Sequence, residues 1–390
     1  MSVTKPAPVL RSLNLLWNSK MSHIEPESPY STVLPKLQLA WDATSFRALM
    51  FCGRYYELSM LEGWRKSNVD IEFGSMLHSA LEVYDHARLD GKTRDEGQFL
   101  AVKWAMENSG GYDKEGKWSP WGGYFEDMWH CLHKTGQGDL MGKKKCPYAH
   151  AGKWHPLPAP EVCGMCGSAT EVENRWLSYE PTKDRKTLLR LVTWYCEEQT
   201  KRLGDGVRPV KMKDGTHAVE VSFRFPAGVT AQTGEEFELC GHMDGLASFG
   251  PDVYVRERKT TKKTLSRTYY DGFSPNVQID LYDLAGTVLF PDQDIQGIML
   301  EALQTMVGGA RMSRKALPRT EPLRKELRRE LEWWMKQAER YARDDYWPMN
   351  RAACWFCTFK GVCSREPGKR EEVLKDKFEK RVWNPLEVRS

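Results

Sequence analysis

A chain of 390 residues, 41% hydrophobic and 28% charged, carries enough apolar side chain to bury a core and is long enough for one large domain with insertions or for two smaller ones. Its formal net charge of +4 permits a polyanionic partner without requiring one, because such a partner needs a local basic surface. No window approaches the roughly 18 apolar residues of a membrane span, and residues 1–20 lack the charged start and unbroken apolar stretch of a signal peptide, so a cytoplasmic protein with no membrane partner is expected.

In chain order, residues 1–38 hold Pro6, Pro8, Pro26, Pro29 and Pro35 among polar residues and read as an extended arm, ending by residue 40. A helix is predicted over 46–64, capped by Thr44 or Ser45 and carrying Cys52. Another is predicted over 73–89, with Leu77, Leu81 and Tyr84 on one face and His78 beside them. These make 41–107 the N-terminal helical part of the main domain. Residues 108–170 are rich in Gly, Trp, Lys and Cys without sustained periodicity, which marks an insertion that needs a staple to be ordered.

A helix over 186–202 leads into the strand-rich centre. Val219, Val221, Phe223 and Phe225 alternate with Glu220, Ser222 and Arg224, and Phe237, Leu239, Gly241 and Met243 alternate with Glu238, Cys240, His242 and Asp244, the pattern of half-buried strands. Gly250, Pro251 and Asp252 favour a tight reversal into a third strand over 253–259. Helices return over 277–289 and 323–342, where Leu323, Leu327, Leu331 and Trp334 keep helical spacing. The expected fold class is α/β of the α+β kind, a central mixed sheet flanked by helices, with its core in 171–366 and a tail in 367–390.

The chemistry concentrates in the third strand. In Val255-Arg-Glu-Arg-Lys259 the strand period of two places Glu257 and Lys259 on one side, facing the same space as a carboxylate from Asp244. Hard oxygen ligands suit magnesium or manganese, which polarises a phosphate and acidifies a water, while a lysine alongside orients or deprotonates that water. An isolated Glu-x-Lys is usually a surface ion pair. Here it has company: Gly241-His-Met-Asp-Gly245, a hairpin-length gap and Glu257-Arg-Lys259-Thr260-Thr261 resemble the core of the PD-(D/E)XK nucleases, in particular their RecB-type branch.

Gly74-Ser-Met-Leu-His78-Ser-Ala-Leu81 resembles that branch's Gly-x-x-x-His-x-x-Leu helix, and Gln278-Ile-Asp-Leu-Tyr282 its Gln-x-x-x-Tyr helix. The resemblance implies that His78 is a metal ligand with Asp244 and Glu257, that Asp244, Glu257 and Lys259 are catalytic, and that Gln278 and Tyr282 line the site and contact DNA. Glu220 matches a glutamate often seen before the catalytic strands. Thr260 and Lys262, just past Lys259, are candidates for gripping phosphates. Taken singly, His78 reads as a satisfied surface histidine and Gln278 with Tyr282 as a surface pair one helical turn apart.

Ten cysteines in a reducing compartment point to metal before disulfides. Cys354-Trp-Phe-Cys357 and Cys363 lie at the end of the chain, and Cys52 stands far upstream. One early cysteine with three late ones resembles the iron-sulfur RecB-type nucleases, including AddB and the CRISPR adaptation nucleases, which implies a 4Fe-4S cluster joining the two ends; spacing alone leaves zinc open. In the insertion, Cys146, Cys163, Cys166 and either His150 or His155 are candidates for a zinc knuckle. Cys131, Cys196 and Cys240 read as buried thiols.

Arg311, Arg314, Lys315, Arg319, Arg324, Lys325, Arg328 and Arg329 form a basic run that either grips phosphates or is a solvated face. The phosphate loop of an ATP-driven motor is absent, so a helicase or recombination protein is the expected partner beside DNA. The leading expectation is a magnesium- or manganese-dependent exonuclease acting on DNA ends or single strands in recombination, repair or phage replication. The alternatives are a non-catalytic DNA-binding or scaffold protein that keeps the fold, and a zinc-dependent regulator.

Overall fold

The computed structural model describes residues 28–66, 69–112, 118–132, 154–165, 167–201 and 207–386. The elements that build the body are, in order, β1 (Ala40–Trp41), α1 (Ala43–Phe51), α2 (Val69–Leu89), α3 (Arg94–Asn108), α4 (Arg185–Lys201), β2 (Val207–Pro209), β3 (Val219–Thr230), β4 (Glu236–Phe249), β5 (Asp252–Thr261), α5 (Val277–Leu289), β6 (Ile295–Met306), β7 (Gly309–Pro318) and α6 (Glu321–Arg343). Among the described residues the seven strands form one mixed sheet organised around β4. The first half of β4 pairs with β1 in parallel and with β3 in antiparallel; its second half pairs antiparallel with β2 and β5.

β5 and β6 run parallel, so the chain needs a crossover between them, and α5 supplies it. Gly286 lets that helix lie against the sheet: a Cβ there would come within 2.4 Å of Val255 Cγ2. β7 returns antiparallel to β6. Apolar side chains of α1, α5 and α6, among them Phe46, Ile279, Leu284 and Leu331, pack with Met243, Val255 and Leu300. A second apolar group joins Leu77 and Leu81 of α2, Ala101 of α3, Leu188 and Leu191 of α4, and Leu303. Two layers of helices thus sandwich the sheet, and each fully buried Leu or Phe contributes roughly 1.5–3 kcal/mol. The architecture is the mixed sheet flanked by helices that the sequence predicts.

The helix predicted over 46–64 is broken. Asp42, rather than Thr44 or Ser45, caps α1, its carboxylate accepting from Ser45 N at 2.9 Å. Cys52 is extended (φ −171°, ψ 126°), and helical turns resume only over Gly53–Tyr56 and Glu57–Leu61. Gly53 permits this, because a Cβ there would meet Pro348 O at 2.9 Å. The sequence reading did not single out α3, which opens with a Thr93–Glu96 capping box, or the β6–β7 hairpin. A separate antiparallel sheet pairs Gly123–Cys131 with His155–Pro156 and Thr170–Ser178, so it runs past residue 170, where the insertion was expected to end.

Both flanks are docked where described. Leu37 and Trp41 are buried, and beyond residue 367 the helix Arg370–Lys377 adds Leu374 to a cluster with Leu58, Trp64, Phe359, Val362 and Phe378. Among the described residues no helix is long and apolar enough to cross a membrane.

Candidate active site

Asp244 lies at a fork in the sheet. The last rung between β4 and β3 joins Met243 to Val221, and the first between β4 and β5 joins Gly245 to Arg256, so Asp244 falls where β4 changes partner. Gly245 makes the change possible: its φ is +132°, and a Cβ would come within 2.1 Å of Ala218 O. Glu220, beside the last β3 rung, has φ +47°, a left-handed conformation that costs a non-glycine residue on the order of 1–2 kcal/mol. Strain of that kind persists where surrounding structure fixes it, often at functional sites.

The fork faces α2. His78 Nδ1 stands 3.0 Å from Asp244 Oδ1 and 3.9 Å from Glu220 Oε1, and the ligand-type atoms of all three residues lie within 4.8 Å of one another. Asp244 Oδ2 accepts from Arg258 N at 2.5 Å. Burial pushes the Asp244 carboxyl up, but the His78 and Arg258 charges outweigh it and hold Asp244 well below the usual carboxylate range. Burial and the Asp244 charge push Glu220 up to about 7. Burial opposes charge on His78, yet Asp244, Glu220 and Glu257 together raise it above its ordinary value.

Glu257 and Lys259 emerge on the α5 side of β5. Glu257 Oε1 is held by Lys259 Nζ at 2.5 Å and by Gln278 Nε2 at 3.1 Å, while Lys259 Nζ also donates to Gln278 Oε1 at 2.9 Å. Burial raises the Glu257 carboxyl, with Lys259 opposing. Glu257 Oε2 and Glu220 Oε1 are buried and accept no hydrogen bond within the described residues. Two such oxygens beside an ionised aspartate and a histidine suit a hard divalent cation, whereas left alone each costs on the order of 1–3 kcal/mol.

The sequence reading grouped His78 with Asp244 and Glu257; the side chains that converge most closely are His78, Asp244 and Glu220. Gln278 is in contact with the pair on β5. Tyr282 is buried, edge-on to Phe223 at 6.0 Å. Thr260 Oγ1 accepts from the buried Lys183 Nζ at 3.5 Å, and Lys262 pairs with Glu180 at 3.1 Å and Asp70 at 3.7 Å.

Sequence reasoning missed the buried charges on the opposite face of β5. Arg256 and Arg258 both donate to Asp85 Oδ2, the latter at 2.5 Å. Arg258 Nε also donates to Glu301 Oε2 at 3.1 Å, which accepts from Tyr195 OH at 2.8 Å as well. Asp85 sits two turns after His78 on the same helix, so this network ties the helix of one candidate ligand to the strand supporting another. The available signal was Arg-Glu-Arg-Lys itself, a central strand with charge on both faces. The basic run proves partly structural: Arg314 pairs with Glu301 at 2.5 Å, Arg319 with Asp280 at 2.6 Å and Arg324 with Asp283 at 2.7 Å.

Cys52, Cys354, Cys357 and Cys363 line one cavity with Phe51, Tyr55, Met349, Asn350, Ala353, Phe359 and Lys360. Asn350 N donates to Cys52 Sγ at 3.2 Å. Burial raises the Cys357 and Cys363 thiols, and neighbouring cysteines add to the effect. A four-thiol donor set around one space suits zinc or an iron-sulfur cluster, either of which binds the thiolates. In the insertion, Cys146, His150 and Cys166 lie outside the described residues; Cys163 is buried, and His155 packs on Trp129 with ring centroids 4.9 Å apart.

A sequence model of the PD-(D/E)XK nuclease superfamily matches residues 152–364, a span that contains Asp244, Glu257, Lys259 and the three late cysteines. Among curated proteins, none matches the sequence. A solved structure titled "Crystal structure of SSO0001" is similar over 46% of this chain and 70% of its own, at 12% identity and a TM-score of 0.23, too slight a likeness to extend the reading. With that family match over more than half of its residues, on a mixed sheet flanked by helices, the chain belongs to the PD-(D/E)XK nuclease superfamily.

Proposed function

We propose that the protein is a RecB-type, magnesium- or manganese-dependent deoxyribonuclease that works as an exonuclease on DNA ends or single strands, in recombination, repair or phage replication. The observation that carries the reading is the convergence of His78, Glu220 and Asp244 at the fork of β4, beside the Glu257–Lys259–Gln278 contact on β5. In this reading His78, Asp244 and Glu257 hold the cation, and Glu220 adds a fourth oxygen donor. A divalent cation bound there would polarise the scissile phosphate and acidify a water. Lys259 orients that water and Gln278 fixes Lys259 against Glu257. Thr260, Lys262 and Tyr282 belong to the DNA-facing lining.

The second part of the proposal is a 4Fe-4S cluster on Cys52, Cys354, Cys357 and Cys363, supported by the shared cavity. A zinc ion on Cys146, Cys163 and Cys166 with His150 or His155 is the proposal for the insertion. The domain reading stands with it: an arm to residue 40, helices over 41–107, the insertion over 108–170, the nuclease core and cluster segment over 171–366, and a tail. A helicase or recombination protein would supply unwinding.

The deciding experiment incubates purified protein with linear and covalently closed circular DNA in magnesium, manganese or EDTA. Cleavage of linear DNA from its ends, lost in EDTA and reduced at least a hundredfold by Asp244→Asn, is the expected result. Inertness with both metals on single- and double-stranded substrates would leave a non-catalytic DNA-binding protein. Iron and acid-labile sulfide in anaerobically purified protein test the cluster, and zinc without iron would overturn it.

A further inference from the structure

The segment that carries the three late cysteines exposes adjacent aromatic rings. Trp355 is 79% exposed and Phe356 92% exposed, adjacent in sequence and placed between Cys354 and Cys357; Tyr346, at the start of the segment, is 60% exposed. Large aromatic side chains lose the benefit of burial when left in water, and each buries on the order of 150–250 Å² when covered. The short 3₁₀ turn Arg351–Phe356 fixes their direction, since its other side is committed to the cysteine cavity.

Within the segment, between Asp345 and Glu366, the charges have one sign. From Tyr346 to Arg365 the chain has no aspartate or glutamate, and its cations, Arg351, Lys360 and Arg365, are all exposed. Lys360 Nζ stands 4.7 Å from the Trp355 ring centroid, so the aromatic surface and the positive charge are contiguous. None of the three cations has a carboxylate partner within its own segment. A protein partner of mixed charge gains nothing special from such a face, whereas a chain of phosphates carrying flat, unpaired bases matches both features at once.

We propose that Trp355 and Phe356, flanked by Arg351, Lys360 and Arg365, form a base-stacking platform for single-stranded DNA beside the four-cysteine cavity. The platform rests on the DNA-processing reading above, and it deepens that reading by naming where an unpaired strand is held. Stacking recognises any base, so the platform confers no sequence preference, and the three cations set a salt-dependent part of the affinity.

The test uses the anaerobically purified full chain and fluorescein-labelled oligo(dT) in EDTA, read by fluorescence anisotropy. Trp355→Ala with Phe356→Ala should weaken binding about tenfold or more. Arg351→Gln with Lys360→Gln should flatten the dependence on salt. A Trp355→Phe, Phe356→Tyr pair should restore affinity, because it keeps two rings, and a Trp355→Leu, Phe356→Leu pair should not, although it keeps apolar bulk over the cavity. Iron content and circular dichroism follow each variant.

Oligo(dT) affinity equal to the parent in the Leu pair, with iron retained, overturns the platform. Self-association of the parent that the Ala pair abolishes, without change in DNA affinity, overturns it in favour of an interface between copies. Cleavage is assayed separately with magnesium. A protein that binds through the aromatic pair yet never cuts would defeat the nuclease reading alone, and one that cuts but binds equally well without the pair would defeat the platform alone.

Discussion

Glu220 shows how a residue's environment decides its chemistry. Its carboxyl titrates near 7 because burial and the Asp244 charge both resist its ionisation. A folded value raised above the unfolded range of roughly 4.3 means that the metal-free fold binds a proton the unfolded chain has released, so this group's contribution to stability falls as pH rises from that range to about 7. A divalent cation reverses the balance, since it favours the ionised carboxylate and displaces the proton. Stabilisation of the protein by manganese should therefore grow as pH rises through about 7, as Glu220 and the raised His78 both release protons to the metal, measured as the shift in thermal midpoint at fixed manganese. In Glu220→Gln the growth should be smaller; an unchanged pH profile would remove Glu220 from the site. The residue was visible in the sequence as the start of an alternating strand. Its left-handed backbone and its approach to His78 were not, because they arise from where β3 ends against β4.

At the level of elements, periodicity revealed those whose faces differ, and missed those whose signals were punctual. The strands over 219–225 and 237–244 stand where alternation put them, and the strand over 253–259 where the turn before it put it, all extended at their ends. The β6–β7 hairpin went unread because β6 is buried on both faces, with Glu301 and Gln304 among its buried residues, and so shows no alternation of apolar and polar positions. The helix break at Cys52 was hidden for a different reason: only the arrival of Pro348 from the far end of the chain explains it. The Asp85 network was equally tertiary. Asp85 is the carboxylate that both buried arginines of β5 share, so its removal leaves Arg258 with Glu301 and the Tyr195 hydroxyl and takes from Arg256 the carboxylate it donates to. Asp85→Ala should lower unfolding free energy by roughly 3–5 kcal/mol in denaturant titrations, the usual cost of breaking a buried pair. Asp85→Glu, which keeps the charge in a different place, should recover part of it. A loss below about 1 kcal/mol in the alanine variant would mean that the network is solvated and contributes little.

Across the whole molecule, the two ends of the described chain meet at the cysteine cavity, and protein contacts as well as thiols hold them there. Arg54 N donates to Pro348 O at 3.1 Å, Asn350 N to Cys52 Sγ at 3.2 Å, and Arg381 N to Gly63 O at 2.7 Å, while Glu379–Lys380 pairs with Trp64–Arg65. Phe359 and Phe378 stack at 4.8 Å in the apolar cluster between them. Cys52→Ala removes one thiol from the proposed cluster and the acceptor for Asn350, but leaves the strand pair and the aromatic stack in place. The consequence should be graded. Iron should fall to a small fraction of the parent's content, and limited proteolysis with mass spectrometry should show new cuts at the turn Arg351–Phe356, which has no buried residue of its own. Cuts across 366–381 should stay slow, because that part is held by the cluster around Leu374 and Phe378. The central sheet, whose apolar cluster meets the cavity among the described residues through Tyr55, should melt with little change. Full iron retention in Cys52→Ala would break the proposed pairing of the two ends, and simultaneous loss of protection across the sheet would show that the cysteine cavity supports the fold as a whole rather than one segment of it.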